Sequence, residues 1–150
     1  MRRVQSQLQL AASYNRHGAD AMSRGKYRSA TISLLSAIVS DPEFWPAFFN
    51  LGNCWAKLEQ YETAIWAYEQ AVRHCDDYAP LFYNLGTVYC HCGQHGKALP
   101  YLQHAWRLRE EENDALALGY AYAMLEQAEL SEDWYDTASF MDETKQMKRF

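Results

Sequence analysis

Very little in this chain interrupts a helix. Only four of its 150 residues are proline and seven are glycine, and the glycines fall mostly at regularly spaced positions. No apolar run approaches the ~18 residues that a membrane span requires. The first residues, Met1-Arg2-Arg3-Val4, carry the charge of a signal peptide but no apolar stretch follows them, so a cytoplasmic location is expected. Cations are in deficit: 14 Lys and Arg stand against 19 Asp and Glu, a net charge of −5. That disfavours nucleic acid as the main partner, since phosphate binding depends on a basic face. The four cysteines, Cys54, Cys75, Cys90 and Cys92, lie inside helical patterns and not in the loop spacings of a secreted disulfide framework. Catalytic signatures are lacking too: there is no nucleophile elbow, no phosphate-cradling glycine loop and no HExxH. No enzymatic activity and no cofactor are expected. The acidic run Glu110-Glu111-Glu112 reads as solvated surface at a helix end.

What the chain has is apolar mass and a period. Hydrophobic residues make up 49%, with eleven Tyr, six Phe and five Trp, enough for the core of one domain. Segments 11–44, 45–78 and 79–112 repeat at 34 residues. Aligned, they give columns: Tyr14, Phe48, Phe82; Gly18, Gly52, Gly86; Ala30, Ala64, Ala98; Leu34, Tyr68, Leu102; Ala37, Ala71, Ala105. Periods of this length mark repeat architectures. Each unit reads as two helices. In the second, Phe48, Leu51, Gly52 and Trp55 step by three and four, a break follows at Glu59-Gln60, and Tyr61, Ala64, Ile65, Tyr68 and Ala71 resume the period.

The small columns have a physical reason. Glycine inside a helix costs roughly 1 kcal/mol against alanine. Its return at one place implies a close helix crossing that recovers the loss. Gly25 and Gly93 end first helices as C-terminal caps do, and Asp41-Pro42 closes the first unit, since proline cannot continue a helix.

These columns resemble the tetratricopeptide repeat (TPR) over 11–112, with a weaker continuation through Leu118-Gly119 and Tyr122. The resemblance implies an all-α fold, a right-handed superhelix of antiparallel helix pairs. Its organisation is an N-terminal helical extension at 1–10, repeats at 11–44, 45–78 and 79–112, a capping helix at 113–130, and an amphipathic helix or tail at 131–150. The first unit departs most: His17 stands where Leu51 and Leu85 follow, and Ala21 where Trp55 and Tyr89 follow. After 112 the register slips by one. Asn113 or Asp114 is placed to cap a helix carrying Leu116, Leu118, Tyr120, Tyr122 and Leu125 to about Glu129. The last segment opens acidic at Glu132 and Asp133 and ends basic at Lys145, Lys148 and Arg149, signs that suit a helix dipole. Trp134, Ala138 and Met141 fall on one face of it.

The resemblance also implies a function: a concave face, lined by first helices, that holds a peptide or a partner's helix. Its columns fall on Asn15, Ala19 and Met22; on Phe49, Asn50, Asn53 and Lys57; and on Tyr83, Asn84, Thr87 and His91, with Tyr120 extending the surface. Asparagine amides pair with a main chain, and Phe49 and Tyr83 form apolar walls. TPR domains that grip the acidic C-termini of heat-shock chaperones use a basic clamp. Here Asn15, Pro80 and Asn84 stand at its Lys and Arg positions, so such a tail is not the expected ligand.

In length, repeat number and acidic balance the chain also resembles the small TPR chaperones of bacterial type III secretion, which implies a translocator chaperone as an alternative to a general adaptor. A third reading is a structural subunit, for example a homodimer, that self-associates through Trp134, Tyr135 and Phe140. Cys90, Cys92 and His95 carry metal-ligand chemistry. However, Cys90 and Cys92 point to different helix faces, and no second ligand pair accompanies them, so no metal is expected.

Overall fold

The computed structural model describes residues 2–148, with side chains from Val4 onward. Arg149 and Phe150, the end of the basic stretch, lie outside the described residues. All regular structure among the described residues is helical: α1 Arg2–Ser23, α2 Tyr27–Ser40, α3 Trp45–Lys57, α4 Tyr61–Val72, α5 Ala79–His91, α6 His95–Arg109, α7 Glu112–Met124 and α8 Ala128–Met147. The chain divides into two compact units, residues 1–76 and 77–150, where its length alone suited one domain.

In the first unit α1 packs on α2, α3 on α4, and α3 docks back on α2 and α1. The extension before residue 11 and the first helix of the first repeat are one continuous helix. Ala30, Leu34, Leu51, Cys54 and Ala67 form the main core, with Ala11, Ala37 and Ala47 beside it. Helix α3 therefore presents Ala47, Leu51 and Cys54 to the preceding hairpin. The same columns of α1 hold Ser13, His17 and Asp20; His17 and Asp20 are exposed and Ser13 half-buried. A polar outer face is what the first member of a stacked array requires, and it explains why His17 breaks the leucine column.

In the second unit α5 pairs with α6, α7 with α8, and α7 docks on α6. The capping helix does not run to Glu129. It ends at Met124, residues 125–127 turn, and α8 returns along α7 as the second arm of a further hairpin. Ser131 is thus not the start of the last helix but a buried residue in its first turns, its hydroxyl donating to the Gly119 carbonyl at 3.0 Å. Nor does Asn113 or Asp114 cap α7. Glu111 is the N-cap, and Asp114 is the reciprocal member of a capping box.

One crossing recurs in every hairpin. A Cβ on Gly86 would lie 2.6 Å from the Leu102 side chain, and one on Gly52 2.6 Å from the Tyr68 ring; Gly18 faces Leu34 and Gly119 faces Tyr135 in the same way. The glycine column is the contact that the sequence pattern implies. The turns recur as well. Gly25, Glu59, Gly93 and Glu126 all have positive φ. The amide after each donates five residues back, as Gln60 does to the Trp55 carbonyl and Gln127 to the Tyr122 carbonyl. This is the Schellman end of a helix, formed twice on glycine and twice on glutamate.

Candidate functional site

The first helices of each unit project the residues that the sequence pattern assigns to recognition. In the first unit these side chains bond to their own neighbours. The Asn50 amide Nδ2 donates to Asn15 Oδ1 at 2.9 Å, and the Tyr68 hydroxyl donates to Asn53 Oδ1 at 2.7 Å. The Phe49 ring leans on Tyr68 with centroids 6.1 Å apart. Ala19 is exposed, Met22 half-buried, and Lys57 exposed in the last turn of α3. Asn15, Asn50 and Asn53 thus spend part of their hydrogen-bonding capacity inside the protein, which narrows what they can offer to another main chain.

The second unit is built differently. Tyr83, Thr87, Cys90 and His91 of α5 and Asn113, Leu116, Ala117 and Tyr120 of α7 line an open cavity of about 340 Å³. Four of the expected groove residues meet here: Tyr83, Thr87, His91 and Tyr120. Asn84 is not in the lining; its carbonyl accepts the Thr87 hydroxyl at 2.9 Å. Cys90, Asn113, Leu116 and Ala117 are additional. The signal for Leu116 and Ala117 lies in the glycine column, where Gly119 follows Gly86 by 33 residues. Shifting Tyr83 and Asn84 by that amount lands on both.

The charge beside the cavity is already committed. Asp114 is fully buried, and Arg109 grips it with two hydrogen bonds, Nε to Oδ2 at 2.9 Å and Nη2 to Oδ1 at 2.8 Å. The guanidinium also lies over the Tyr83 ring, 5.3 Å from its centroid. The hydrogen bond to Asp114 is the main reason that the Arg109 pKa is raised further. Burial, reinforced by the Asp114 charge and opposed by Arg109, pushes the Tyr83 phenol up. Burial also lifts the Cys90 thiol from 9.0 to about 11. Cys90 therefore stands in the wall as a small neutral thiol at neutral pH. The lining contains no Lys, Arg, Asp or Glu; its polar groups are hydroxyls, one amide and the His91 imidazole.

Cys90, Cys92 and His95 do not assemble. Among the described residues no three His, Cys, Asp or Glu side chains converge as metal ligands. His95 instead meets Tyr120 edge to face at 5.8 Å, its Nδ1 buried without a hydrogen-bond partner. The acidic run is more than solvated surface. Glu110 adopts the left-handed conformation that ends α6, Glu111 caps α7, and Glu112 accepts from Lys145 at 3.1 Å. The tail aromatics are largely engaged within their own unit: Trp134 packs on Trp106 at 5.1 Å and Tyr135 on Gly119. Phe140, 66% exposed, is the most outward member of the trio read as a self-association surface. No helix of the described residues is long and apolar enough to cross a membrane.

Residues 67–99 match the family model described as tetratricopeptide repeat. No curated protein sequence matches the chain. Solved structures do. The crystal structure of MamA shares 23% identity over 91% of this chain and 81% of that one, with a TM-score of 0.86. "YrrB: a TPR protein with an unusual peptide-binding site" shares 24% over 85% and 84%, with a TM-score of 0.65. A chain of the "APC/C hetero-tetramer Cut9-Hcn1" shares 20% over 89% of this chain and 26% of that one, with a TM-score of 0.75. Taken with the recurring glycine crossing and the family model over 67–99, these likenesses identify the chain as an all-α protein with the tetratricopeptide-repeat fold.

Proposed function

We propose that this protein is a non-enzymatic interaction module, an adaptor or chaperone, that takes a bulky apolar side chain of a partner's peptide or helix into the α5–α7 cavity. The observation that carries the reading is the lining itself: Tyr83, Leu116, Ala117, Tyr120 and Cys90 supply apolar walls, and Thr87, Asn113 and His91 supply polar groups to fix a main chain. Pockets that recognise side chains combine these two ingredients. With Arg109 beside the cavity committed to Asp114 and no Lys or Arg in the lining, an acidic anchor meets no guanidinium or ammonium group to pair with. This extends the argument against an acidic chaperone tail from the missing clamp to the cavity. The likeness to YrrB, a TPR protein with an unusual peptide-binding site, supports peptide as the ligand class. The type III secretion chaperone role is one form of the same reading; nothing in the cavity selects it over a general adaptor.

The test is a panel of fluorescein-labelled helical 15-mers that differ only in a central Leu, Phe, Asp or Lys, titrated with the full chain. The Leu and Phe peptides are expected to bind, and Leu116→Lys to weaken them about tenfold or more by placing a charge in the apolar wall. Binding led by the Asp peptide, or unaffected by Leu116→Lys, overturns the proposal.

A further inference from the structure

A second surface, outside the cavity, is apolar where its counterparts are not. On the outer side of α2, Ile32, Leu35 and Val39 are 70%, 45% and 84% exposed. The same columns hold Trp66, Glu69 and Arg73 in α4, then Pro100, Gln103 and Arg107 in α6, then Asp133, Asp136 and Phe140 in α8. Three aliphatics on a water-facing helix side occur only in the first hairpin. Beside this ridge runs a groove between α1 and α2 of about 470 Å³, lined by Leu10, Tyr14, Ile32, Leu35, Ser36, Val39 and Ser40. Val39 and Ser40 also border a second groove with the exposed Val4 and Leu8, whose far wall carries Asp41 and Glu43, so the apolar surface continues along α1 up to an acidic edge.

We infer that this face is the contact between two copies of the chain, related by a two-fold axis. Two features favour a second copy over another partner. The first is charge. The α1–α2 groove carries no ionisable group except the Tyr14 phenol, on a chain with a net charge of −5. Two like-charged molecules can meet across this groove without setting like charges against each other, Asp41 and Glu43 lying at the edge beyond it, and a charged partner finds nothing in the groove to recognise. The second is shape. An isologous contact needs a patch that fits itself, and this patch offers a ridge next to a groove, so that Val39 and Ile32 of each copy can enter the groove of the other. Seven exposed apolar side chains offer on the order of 700 Å², close to the ~800 Å² that each partner gives to a standard interface. The surface is distinct from the α5–α7 cavity, and the inference stands independently of the peptide reading.

Sedimentation velocity of the full chain under reducing conditions, from about 1 to 200 μM, tests it. A monomer–dimer equilibrium within that range is expected. Val39→Glu should raise the dissociation constant at least tenfold, because a carboxylate would be desolvated at the contact. As an exposed residue Val39 is not needed for folding, and an unchanged helical circular dichroism spectrum and melting temperature in Val39→Glu verify this. Phe140→Glu, on the other exposed hydrophobic of the same column, should leave the equilibrium unchanged. A monomer at all concentrations, or a dimer insensitive to Val39→Glu, overturns the inference. So does a dimer lost in Phe140→Glu. A monomer that floats with phosphatidylcholine vesicles, and fails to do so as Val39→Glu, overturns it in favour of a lipid surface.

Discussion

The first helices of the two units fill equivalent columns with different chemistry. Between α1 and α3 stand asparagines, which bond to one another and to Tyr68. Between α5 and α7 stand Tyr83, Thr87, Leu116, Ala117 and Tyr120, which cannot saturate one another and leave a cavity. A polar column can close on itself by hydrogen bonding; a column that mixes large aromatic with small side chains leaves volume. In the second unit the cavity wall is also fixed from behind, by the pair of half-buried Arg109 and fully buried Asp114 beside Tyr83. In the first unit the asparagines are held by neutral hydrogen bonds between half-buried groups.

The largest expected effect tests that support. Asp114→Ala leaves Arg109 without its fully buried acceptor, and breaking a buried pair in this way costs about 3 kcal/mol. Asn15→Ala removes one neutral hydrogen bond and should cost about 1 kcal/mol. Urea unfolding of the two variants measures the gap; equal losses would remove the distinction between the units.

Next come the glycine crossings. Gly86→Ala drives a methyl into Leu102, which is itself fully buried, and should destabilise by about 1–2 kcal/mol after the gain in helix propensity. Gly119→Ala meets the Tyr135 ring at 2.9 Å, but that ring is 39% exposed and can swing aside. Its expected change is within about 0.5 kcal/mol, because propensity offsets the crowding. Thermal melts that show the two variants equally destabilised would mean that Tyr135 is as confined as Leu102.

The smallest effect concerns the turns. Glu59 holds a positive φ that glycine adopts without strain, so Glu59→Gly should gain a few tenths to about 1 kcal/mol, and Gly93→Ala should lose about as much. A lowered melting temperature for Glu59→Gly would show that the glutamate side chain contributes more than its backbone strain costs.

These same residues show what the sequence made readable. The period, the glycine and alanine columns and the turns at Gly25, Glu59 and Gly93 could be read because one local cause recurs at one spacing. The fourth hairpin was harder to see. Its register is one residue short, its crossing partner is Tyr135 in a segment that reads as a tail, and its turn falls on Glu126 with no glycine to mark it. The site was legible only in part for a related reason. Columns identify which side chains share a helix face, and that brought out Tyr83, Thr87, His91 and Tyr120. Whether a face is open or closed depends on pairings such as Asn15 with Asn50, and on the sizes of residues a whole helix away, such as Ala117. No spacing encodes either.

The polar outer face of α1 bears on how copies of this chain can stack. A repeat array has two unlike ends, and if both were sticky each molecule could add to the next without limit, giving a filament. Ser13, His17 and Asp20 take the place of the Ala47, Leu51 and Cys54 that would form such a junction. Open-ended growth through that surface would bury hydrogen-bonding groups and a carboxylate with no partner for them. Three side chains in one helix thus weigh against end-to-end stacking through that surface, without any capping partner.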